Sequence, residues 1–352
     1  MTSPLLVRAL TSQAVSRPPM WFMRQAGRYL PEYRAVRAKF PDFMAFCFSP
    51  EAATDVTLQP VERFGLDAAI IFADILTIPH VMGHPVHFTA GEGPRVAPLT
   101  TTKQVAAMQD YLADVPGLLA PVGATVASTR KALGPDKAVI GFSGGPFTLA
   151  CYMLDSKPSQ GIPNTLRFMQ EHPRSFTRLL DTLTLACVSY LAMQIEAGAD
   201  AVQIFDSWAA AAPAEHWKTC VLVPLVTLGR LLKERHPETP VILFPRLATK
   251  QQLLALRAHA PSAFDAVSLS TETDLVWASK TLQPFHAIQG NLDPRLFTLD
   301  SPDAALAATK QALAVAANQP GYVVNLGHGF TPDTKPDTLQ LVADTIRAYA
   351  ND

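Results

Sequence analysis

Charged residues are scarce in this chain, and neither sign of charge dominates. Asp, Glu, Lys and Arg make up 17% of the 352 residues, and the formal net charge is -1. Without a broad basic surface we expect no nucleic-acid partner, and an anionic ligand would need a local cluster of arginines. Long apolar runs are missing too, and the first twenty residues lack the apolar core of a signal peptide. We therefore expect a cytoplasmic protein that does not associate with membranes.

Cysteine is rare, and its spacing excludes the common disulfide and metal motifs. The four cysteines form no Cys-x-x-Cys pair: Cys47, Cys151, Cys187 and Cys220. We interpret them as buried thiols of a reducing compartment. Three histidines lie close together, but prolines and a glycine prevent a helix from aligning them: His80, His84 and His87. A zinc site needs three or four converging ligands, so we expect no metal.

Short apolar runs alternate with amphipathic stretches along the whole chain. Strand character is found at residues 20–23, 68–72, 138–142, 201–205, 241–244, 266–269, 286–289 and 322–325. Helical character is found at 105–133, 165–197, 214–236, 250–259, 302–318 and 336–350. This alternation predicts a parallel sheet covered by helices, and the eight strands fit a single (β/α)8 barrel domain over residues 1–352. A doubly wound open sheet is the alternative, but no Gly-x-Gly-x-x-Gly motif follows any predicted strand.

Catalytic groups of such a barrel lie just beyond the carboxyl ends of its strands. The residues at those positions are nearly all polar, although the strands before them are apolar. They are Arg24, Gln25, Asp74, Ser143, Asp206, Ser207, Arg246, Ser270, Asn291 and His328. Any one of them could be an ordinary loop residue, but together they predict a polar cleft at the mouth of the barrel.

Arginine is concentrated in residues 18–37, directly after an apolar run. Four arginines occur there, with Glu32 as the only nearby acid: Arg24, Arg28, Arg34 and Arg37. Such a cluster repels itself unless an anion meets it, and arginine binds carboxylate or phosphate in a bidentate way that lysine does not. The alternative is the solvated basic face of a helix, but a glycine and a proline inside the stretch disfavour one long helix. We predict a site for a ligand with several carboxylates or phosphates.

Asp74 is a single carboxylate in a strongly apolar segment. Its neighbours include Ile71, Phe72, Ile75 and Leu76, and a buried charge must be paired or functional. One interpretation is a helix N-cap, which Asp suits well. The other is a carboxylate in an apolar pocket, placed to pair with a cation or to accept hydrogen bonds from a ligand.

Three further candidates each have an ordinary alternative. Tyr152 lies one to two turns into a helix predicted after the glycine-rich turn at residues 141–149, which is more often a plain turn than an anion site. Ser207 has no Gly-x-Ser-x-Gly setting, so hydrogen bonding to a ligand carboxylate is favoured over nucleophilic attack. His328 lies between two glycines, where the sequence is equally compatible with a structural and a ligand-binding role.

Residues 23–32 read Met-Arg-Gln-Ala-Gly-Arg-Tyr-Leu-Pro-Glu. This run closely resembles, without a gap, the N-terminal signature of the uroporphyrinogen decarboxylase family. Further stretches similar to that family follow in the expected order at residues 58–60, 69–76, 141–153, 204–208, 289–294 and 325–329. The resemblance spans nearly the whole chain and implies a (β/α)8 barrel, a homodimer, and no metal or organic cofactor.

The resemblance also implies a reaction and a set of site residues. The reaction is the cofactor-independent decarboxylation of the four acetate side chains of uroporphyrinogen III to methyl groups, giving coproporphyrinogen III and CO2 in haem biosynthesis. The enzyme would be a carboxy-lyase, and its partner a small tetrapyrrole. The implied catalytic residues are Asp74, Arg24 and Arg28. The implied substrate-binding residues are Arg24, Gln25, Ala26, Arg28, Arg37, Asp74, Tyr152, Ser207 and His328.

Three stretches depart from the family pattern. Residues 244–246 read Phe-Pro-Arg where the family usually has Phe-Ala-Lys, and residues 269–271 read Leu-Ser-Thr where it usually has Leu-Asp-Trp. Residues 155–158 stand where a Gly/Ser-rich loop is expected. These changes leave the arginines and Asp74 intact, and they bear on the shape of the far side of the cleft.

Two other functions remain open on sequence. A zinc-dependent methyltransferase of a related barrel family would need a His-x-Cys pair and a distant Cys, and none of the 9 histidines is followed two residues later by Cys. A porphyrin-binding barrel without catalysis would keep the arginines but would not require Asp74.

Overall fold

Seven parallel strands make one curved sheet in the computed structural model, which describes residues 3–89, 93–158, 161–259 and 261–349. The strands are β1 (Ala68–Ile70), β2 (Val86–Thr89), β3 (Gly93–Val96), β4 (Ala138–Gly144), β5 (Ala201–Asp206), β6 (Val241–Pro245), β7 (Ala266–Ser268), β8 (Ala287–Gln289) and β9 (Tyr322–Val323). Strands β2 and β3 form a separate antiparallel hairpin, and the others pair in the order β1-β4-β5-β6-β7-β8-β9. Apart from the inserted hairpin, strands that are adjacent in the sheet are also consecutive along the chain, as a barrel requires.

The N-terminal segment occupies the gap between the two edge strands of this sheet. The Val324 N–H donates to the Pro19 carbonyl at 2.9 Å, and the Asp67 N–H donates to the Met20 carbonyl at 3.0 Å. Residues 19–20 thus bridge the end of β9 to the start of β1 and take the eighth position of a closed ring. The strand predicted at 20–23 is reduced to this bridge.

Helices cover the outside of the sheet. They are α1 (Leu5–Leu10), α2 (Pro31–Arg37), α3 (Phe43–Cys47), α4 (Pro50–Phe64), α5 (Thr77–Val81), α6 (Thr102–Ala107), α7 (Val115–Leu118), α8 (Ala120–Leu133), α9 (Pro146–Asp155), α10 (Pro163–Glu171), α11 (Pro173–Glu196), α12 (Val223–Arg235), α13 (Lys250–His259), α14 (Leu275–Thr281), α15 (Asp303–Ala316) and α16 (Pro336–Ala348). A π-helical turn at Lys218–Leu222 leads into α12. The helix predicted at 250–259 matches α13, and residue 350 of the last predicted helix lies outside the described residues.

Prolines divide two stretches that the sequence pattern predicted as single helices. The stretch 105–133 covers the end of α6 and the whole of α7 and α8. Pro116 lies in the first turn of α7, and Pro121 lies in the first turn of α8. The stretch 165–197 is α10 and α11, separated at His172 before Pro173. Proline lacks the N–H that would continue a helix, and it fits the first turn of the next one. The single-helix predictions were wrong at these points.

A layer of hydrogen-bonded polar side chains crosses the barrel interior. The Trp21 indole N–H donates to Gln289 Oε1 at 2.8 Å, and Gln289 Nε2 donates to Gln203 Oε1 at 2.9 Å and to Ser268 Oγ at 3.1 Å. All four side chains are buried. Buried polar groups are stable when they are paired, so this layer fixes the N-terminal segment to strands β5, β7 and β8 beneath the mouth.

Helix α11 is, within the described ranges, the one helix long and apolar enough to cross a membrane by length and composition. Of its most apolar window, 67% is buried inside the protein. Its packing against α9, α12 and β4 identifies it as a core helix. The four cysteines are buried free thiols, as the sequence predicts.

Candidate active site

The arginine-bearing segment turns sharply as it leaves the barrel wall. Arg24 has a φ of 60°, in the left-handed region, which non-glycine residues adopt infrequently. On either side the backbone is held by hydrogen bonds, since the Met23 N–H donates to Asn325 Oδ1 at 3.0 Å and the Phe330 N–H donates to the Met23 carbonyl at 3.0 Å. The turn leaves the Arg24 side chain exposed, whereas a continuing strand would have carried it along the wall.

Gln25 has a structural role in this turn. It is fully buried, its Nε2 donates to the Ala68 carbonyl at 3.1 Å, and its Oε1 accepts the Phe22 N–H at 3.1 Å. The Tyr29 hydroxyl donates a hydrogen bond to the backbone carbonyl of Gln25 at 2.6 Å. These contacts show that the Gln25 side chain holds the turn that carries Arg24, and its predicted contact with a substrate stays a prediction.

Arg24 lies across the loop that follows β9. A Cβ atom on Gly329 would come within 2.5 Å of Arg24 Cδ and 2.7 Å of its Cγ. The glycine after His328 therefore provides the space in which the arginine side chain lies. This contact brings the first and the last signatures of the sequence together at one mouth.

The four clustered arginines have different surroundings. Within the described residues, the Arg24 and Arg28 guanidinium groups have no ion pair and no hydrogen bond. Arg34 donates to the Arg28 carbonyl at 2.7 Å, and Arg37 donates to a carbonyl of its own loop and lies over aromatic rings. The nearby acid, Glu32, pairs with Arg63 at 3.1 Å. In this part of the chain neither Arg24 nor Arg28 therefore has an acidic partner within ion-pair distance.

Asp74 lies close to Arg24 in an apolar setting. Its Oδ1 accepts the Leu76 N–H at 2.9 Å, and none of the described residues donates to its Oδ2. Helix α5 begins after Leu76 without a side-chain cap, so Asp74 closes a turn before the helix and is not its N-cap. Burial raises the pKa of the Asp74 carboxyl, against the opposing effects of the Leu76 N–H and of Arg24.

Helix α9 carries Tyr152 to the same mouth. The Tyr152 ring lies 6.4 Å from the Trp208 ring, edge on. Burial and the Asp74 charge both raise the pKa of the Tyr152 hydroxyl, whereas a hydrogen bond with Trp208 and the charge of Arg24 oppose them. Tyr152, Asp74 and Arg24 are therefore close enough to interact electrostatically. Ser207, next to Trp208, is partly exposed.

Asp206, at the end of β5, caps helix α9, although the two are far apart along the chain. Gly145 stands at the N-cap position and has no side chain to cap with. Instead Asp206 Oδ1 accepts the Thr148 N–H at 3.1 Å and the Thr148 hydroxyl at 2.5 Å. Burial raises the pKa of Asp206 to about 6. The sequence placed Asp206 at the open mouth, but the side chain is fully buried and supports the helix that bears Tyr152.

His328 faces two cations. Burial, Arg246 and Arg24, in that order, lower the pKa of His328 to about 4. The imidazole is consequently neutral near pH 7 and can donate or accept one hydrogen bond without adding charge.

A sequence profile of uroporphyrinogen decarboxylase (URO-D) matches residues 1–349 of this chain. A uroporphyrinogen decarboxylase of Jannaschia sp. (strain CCS1) is 41% identical over 345 residues, covering 97% of this chain and 98% of the relative. That of Sphingopyxis alaskensis (strain DSM 13593 / LMG 18877 / RB2256) is 43% identical over 344 residues, covering 97% of each chain. The chain belongs to the uroporphyrinogen decarboxylase family.

The family assignment confirms the predicted family, its carboxy-lyase activity and its (β/α)8 fold. Among solved structures, a methyltransferase from Methanosarcina mazei superimposes with a TM-score of 0.76, covering 97% of both chains at 18% identity. At that identity the likeness supports the fold alone. The fold is thus shared with a methyltransferase, whereas the sequence assigns this chain to the decarboxylases.

Two of the three departures from the uroporphyrinogen decarboxylase pattern, residues 244–246 and 269–271, occur together on one side of the mouth. Ser270 Oγ accepts the Leu247 N–H at 2.7 Å, which joins the altered stretch 244–246 to the altered stretch 269–271. Asn291 Nδ2 donates to the Ser270 and Thr273 carbonyls at 2.9 and 2.7 Å. These polar strand ends stabilise the loops. Arg246 is partly exposed; the sequence predicted it at the mouth as a polar residue after a strand, although it is not among the binding residues that the resemblance implies.

The clustered histidines stabilise the hairpin region. His84 Nδ1 lies 3.0 Å from the Ala97 carbonyl, and His80 Nδ1 accepts the Val86 N–H at 3.2 Å. In the described ranges no group of three or more His, Cys, Asp or Glu side chains is arranged to hold a metal ion.

Proposed function

We propose that this chain decarboxylates the four acetates of uroporphyrinogen III, giving coproporphyrinogen III and CO2, at the carboxyl-terminal mouth of its barrel. The observation that carries the site assignment is the position of one carboxylate, Asp74, close to Arg24 at the opening where the Arg24 and Arg28 side chains are exposed. Membership in the uroporphyrinogen decarboxylase family supports the reaction.

The charge of the site suits the substrate. Uroporphyrinogen is a macrocycle of four pyrroles with eight carboxylates, and its pyrrole nitrogens carry N–H donors at the centre. Arg24, Arg28 and Arg37 would bind peripheral acetates and propionates through charge-assisted hydrogen bonds. Asp74 Oδ2, free of protein donors, would accept the central N–H groups.

The substrate itself supplies the electron sink, which accounts for the expected independence of a cofactor. A proton adds to a pyrrole carbon, and the ring becomes a cation. The bond between the acetate methylene and its carboxylate breaks, CO2 leaves, and the electron pair flows into the ring. The methylene carbon then takes a proton and the ring loses the first one, so each step consumes one proton overall.

Asp74 would stabilise the cationic ring electrostatically. At about 4 Å and an effective dielectric of about 20, two opposite unit charges attract by about 4 kcal/mol. Because the cation exists only along the reaction path, this attraction lowers the barrier more than it tightens substrate binding. Arg24 and Arg28 are assigned to catalysis as neighbours that bind the departing carboxylate. The donor of the ring proton is left unassigned.

Four other residues complete the proposed binding set. The Tyr152 hydroxyl lies within hydrogen-bonding reach of Trp208, the Ser207 hydroxyl has no hydrogen bond among the described residues, and both side chains are partly exposed beside the mouth. They would donate to substrate carboxylates. Ala26, also partly exposed, would offer only its backbone and its small surface, and His328 would contribute a neutral N–H.

We further infer a homodimer, a single-domain chain, a cytoplasmic location, and no binding to membrane or nucleic acid. The resemblance and the low, balanced charge of the chain support these inferences.

Turnover of reduced uroporphyrinogen III under anaerobic conditions tests the proposal. Separation of the products by carboxylate number should show intermediates with seven, six and five carboxylates, followed by the four-carboxylate product. A barrel that only binds porphyrins would bind the substrate and return it unchanged, and that result would refute the proposal.

A further inference from the structure

Arg246 stands on a backbone that is fixed on both sides. Its own N–H donates to the Asp206 carbonyl at 3.1 Å, and the next N–H, of Leu247, donates to Ser270 Oγ at 2.7 Å. Leu247 has a φ of 59°, a left-handed conformation that is rare for leucine and that these contacts maintain. The point at which the Arg246 side chain leaves the backbone is therefore well defined.

The loop that carries His328 packs directly against the neighbouring loop. A Cβ atom on Gly327 would come within 2.1 Å of the Thr271 nitrogen, so backbone lies on backbone here. Residues 245–247, 270–273 and 327–329 consequently form one connected stretch of the rim, which runs from the end of β6 round to the loop that packs on Arg24. Along this stretch, Arg246 is close enough to His328 to lower its pKa more strongly than Arg24 does.

Arg246 enters the mouth opposite the N-terminal arginines. Counting round the closed ring from residues 19–20, strand β6 holds the fifth of eight positions, which is the diametrically opposite one. A flat macrocycle that binds Arg24 and Arg28 at one edge presents its other edge to β6.

The Arg246 guanidinium lacks an acidic partner among the described residues. The acids nearest in sequence on the adjacent loop are used elsewhere, since Asp274 pairs with Lys250 at 3.4 Å and the charge of Glu272 acts on Arg295. A partly buried guanidinium without a counter-charge is destabilising unless a ligand supplies the anion.

We propose that Arg246, together with His328, forms a second carboxylate-binding subsite that takes a peripheral carboxylate of the tetrapyrrole at the edge remote from Arg28. This inference rests on the proposed function and adds a specificity-determining residue to it. Ser270 contributes indirectly, because a hydroxyl at this point holds Leu247 without introducing a negative charge that would compete for Arg246.

Steady-state kinetics of Arg246→Gln with uroporphyrinogen III tests the subsite. Loss of one charge-assisted hydrogen bond should raise KM about tenfold and change kcat by less than about twofold, since the group binds substrate and transition state alike. Arg246→Lys should recover part of the loss because it keeps the charge without the fork. Ser270→Asp, which can still accept the Leu247 N–H, should raise KM by placing a carboxylate beside Arg246.

Arg230→Gln is the matched control. Arg230 is exposed on α12, 3.9 Å from Glu234, and its loss should leave both kinetic constants unchanged. If the unmodified protein produces no coproporphyrinogen, the proposed function itself fails. If it does, and Arg246→Gln retains the KM of the unmodified protein, the subsite alone is refuted. A fall in kcat with unchanged KM would likewise refute a binding role.

Discussion

The two sides of the barrel mouth differ in how their charges are arranged. On the near side, Arg24 lies close enough to Asp74 to act on its carboxylate, whose pKa is raised by burial, and Arg28 follows on the same segment. On the far side, directly after β6, Arg246 acts together with Arg24 on the His328 imidazole, which is neutral near pH 7. The near side combines anion binding with a group that can stabilise a cation, whereas the far side can only bind anions. The difference indicates that chemistry occurs near Asp74 and that the far side positions the macrocycle.

Removal of the Asp74 charge should have the largest effect on turnover, because it takes away the group that distinguishes the near side from the far side. We expect Asp74→Asn to lower kcat by roughly a thousandfold, on the scale of losing a preorganised electrostatic group, because Asn retains the Leu76 contact but cannot offset a ring cation. Circular dichroism and thermal unfolding should show an intact fold. Near-normal turnover would remove Asp74 from the mechanism.

Loss of a near-side arginine should have the next largest effect. Arg24→Gln should reduce kcat/KM by about a hundredfold, since a charged hydrogen-bond donor contributes roughly 3 kcal/mol at most. Unlike Arg246→Gln, it should reduce kcat as well as raise KM. Identical kinetic signatures for the two variants would mean that the two sides do not differ in kind.

The sequence alone predicted the functional residues of the near side better than those of the far side. The arginine run and Asp74 are local patterns, and the alternation of apolar strands was sufficient for the barrel. The capping of α9 by Asp206 was not predictable because its partner, Thr148, lies 58 residues away. Gln25 illustrates the same limit, since its buried acceptor is Ala68. The helix breaks, in contrast, were marked by prolines and could have been read.

Asp206 provides a buried carboxylate that serves stability and not catalysis. Its pKa of about 6 exceeds the usual 3.8, so between these values the folded protein binds more protons than the unfolded chain. The free energy of unfolding should therefore fall as pH rises through this window, by roughly 3 kcal/mol at most.

Asp206→Asn should remove that component, because Asn keeps an oxygen for Thr148 but does not titrate. Urea unfolding at pH 4 and pH 7 would measure the difference between the two proteins. Parallel pH dependences would show that Asp206 is not the titrating group, and Arg230→Gln again serves as the reference.

The smallest expected effect is a change in the titration of His328. Removing the positive charge of Arg246 should raise the pKa of His328 above its value of about 4, because the imidazolium is then less disfavoured. Imidazole NMR signals followed with pH, with Arg246→Gln compared against Arg230→Gln, would detect it. An unchanged titration would place Arg246 away from His328.

The most direct test of the two-sided site is a crystal structure with coproporphyrinogen bound under anaerobic conditions. We predict pyrrole N–H groups within hydrogen-bond distance of Asp74 Oδ2, with carboxylates on Arg24 or Arg28 at one edge and on Arg246 at the other. A macrocycle that leaves Asp74 without a contact, or that lies outside the barrel mouth, would contradict the account.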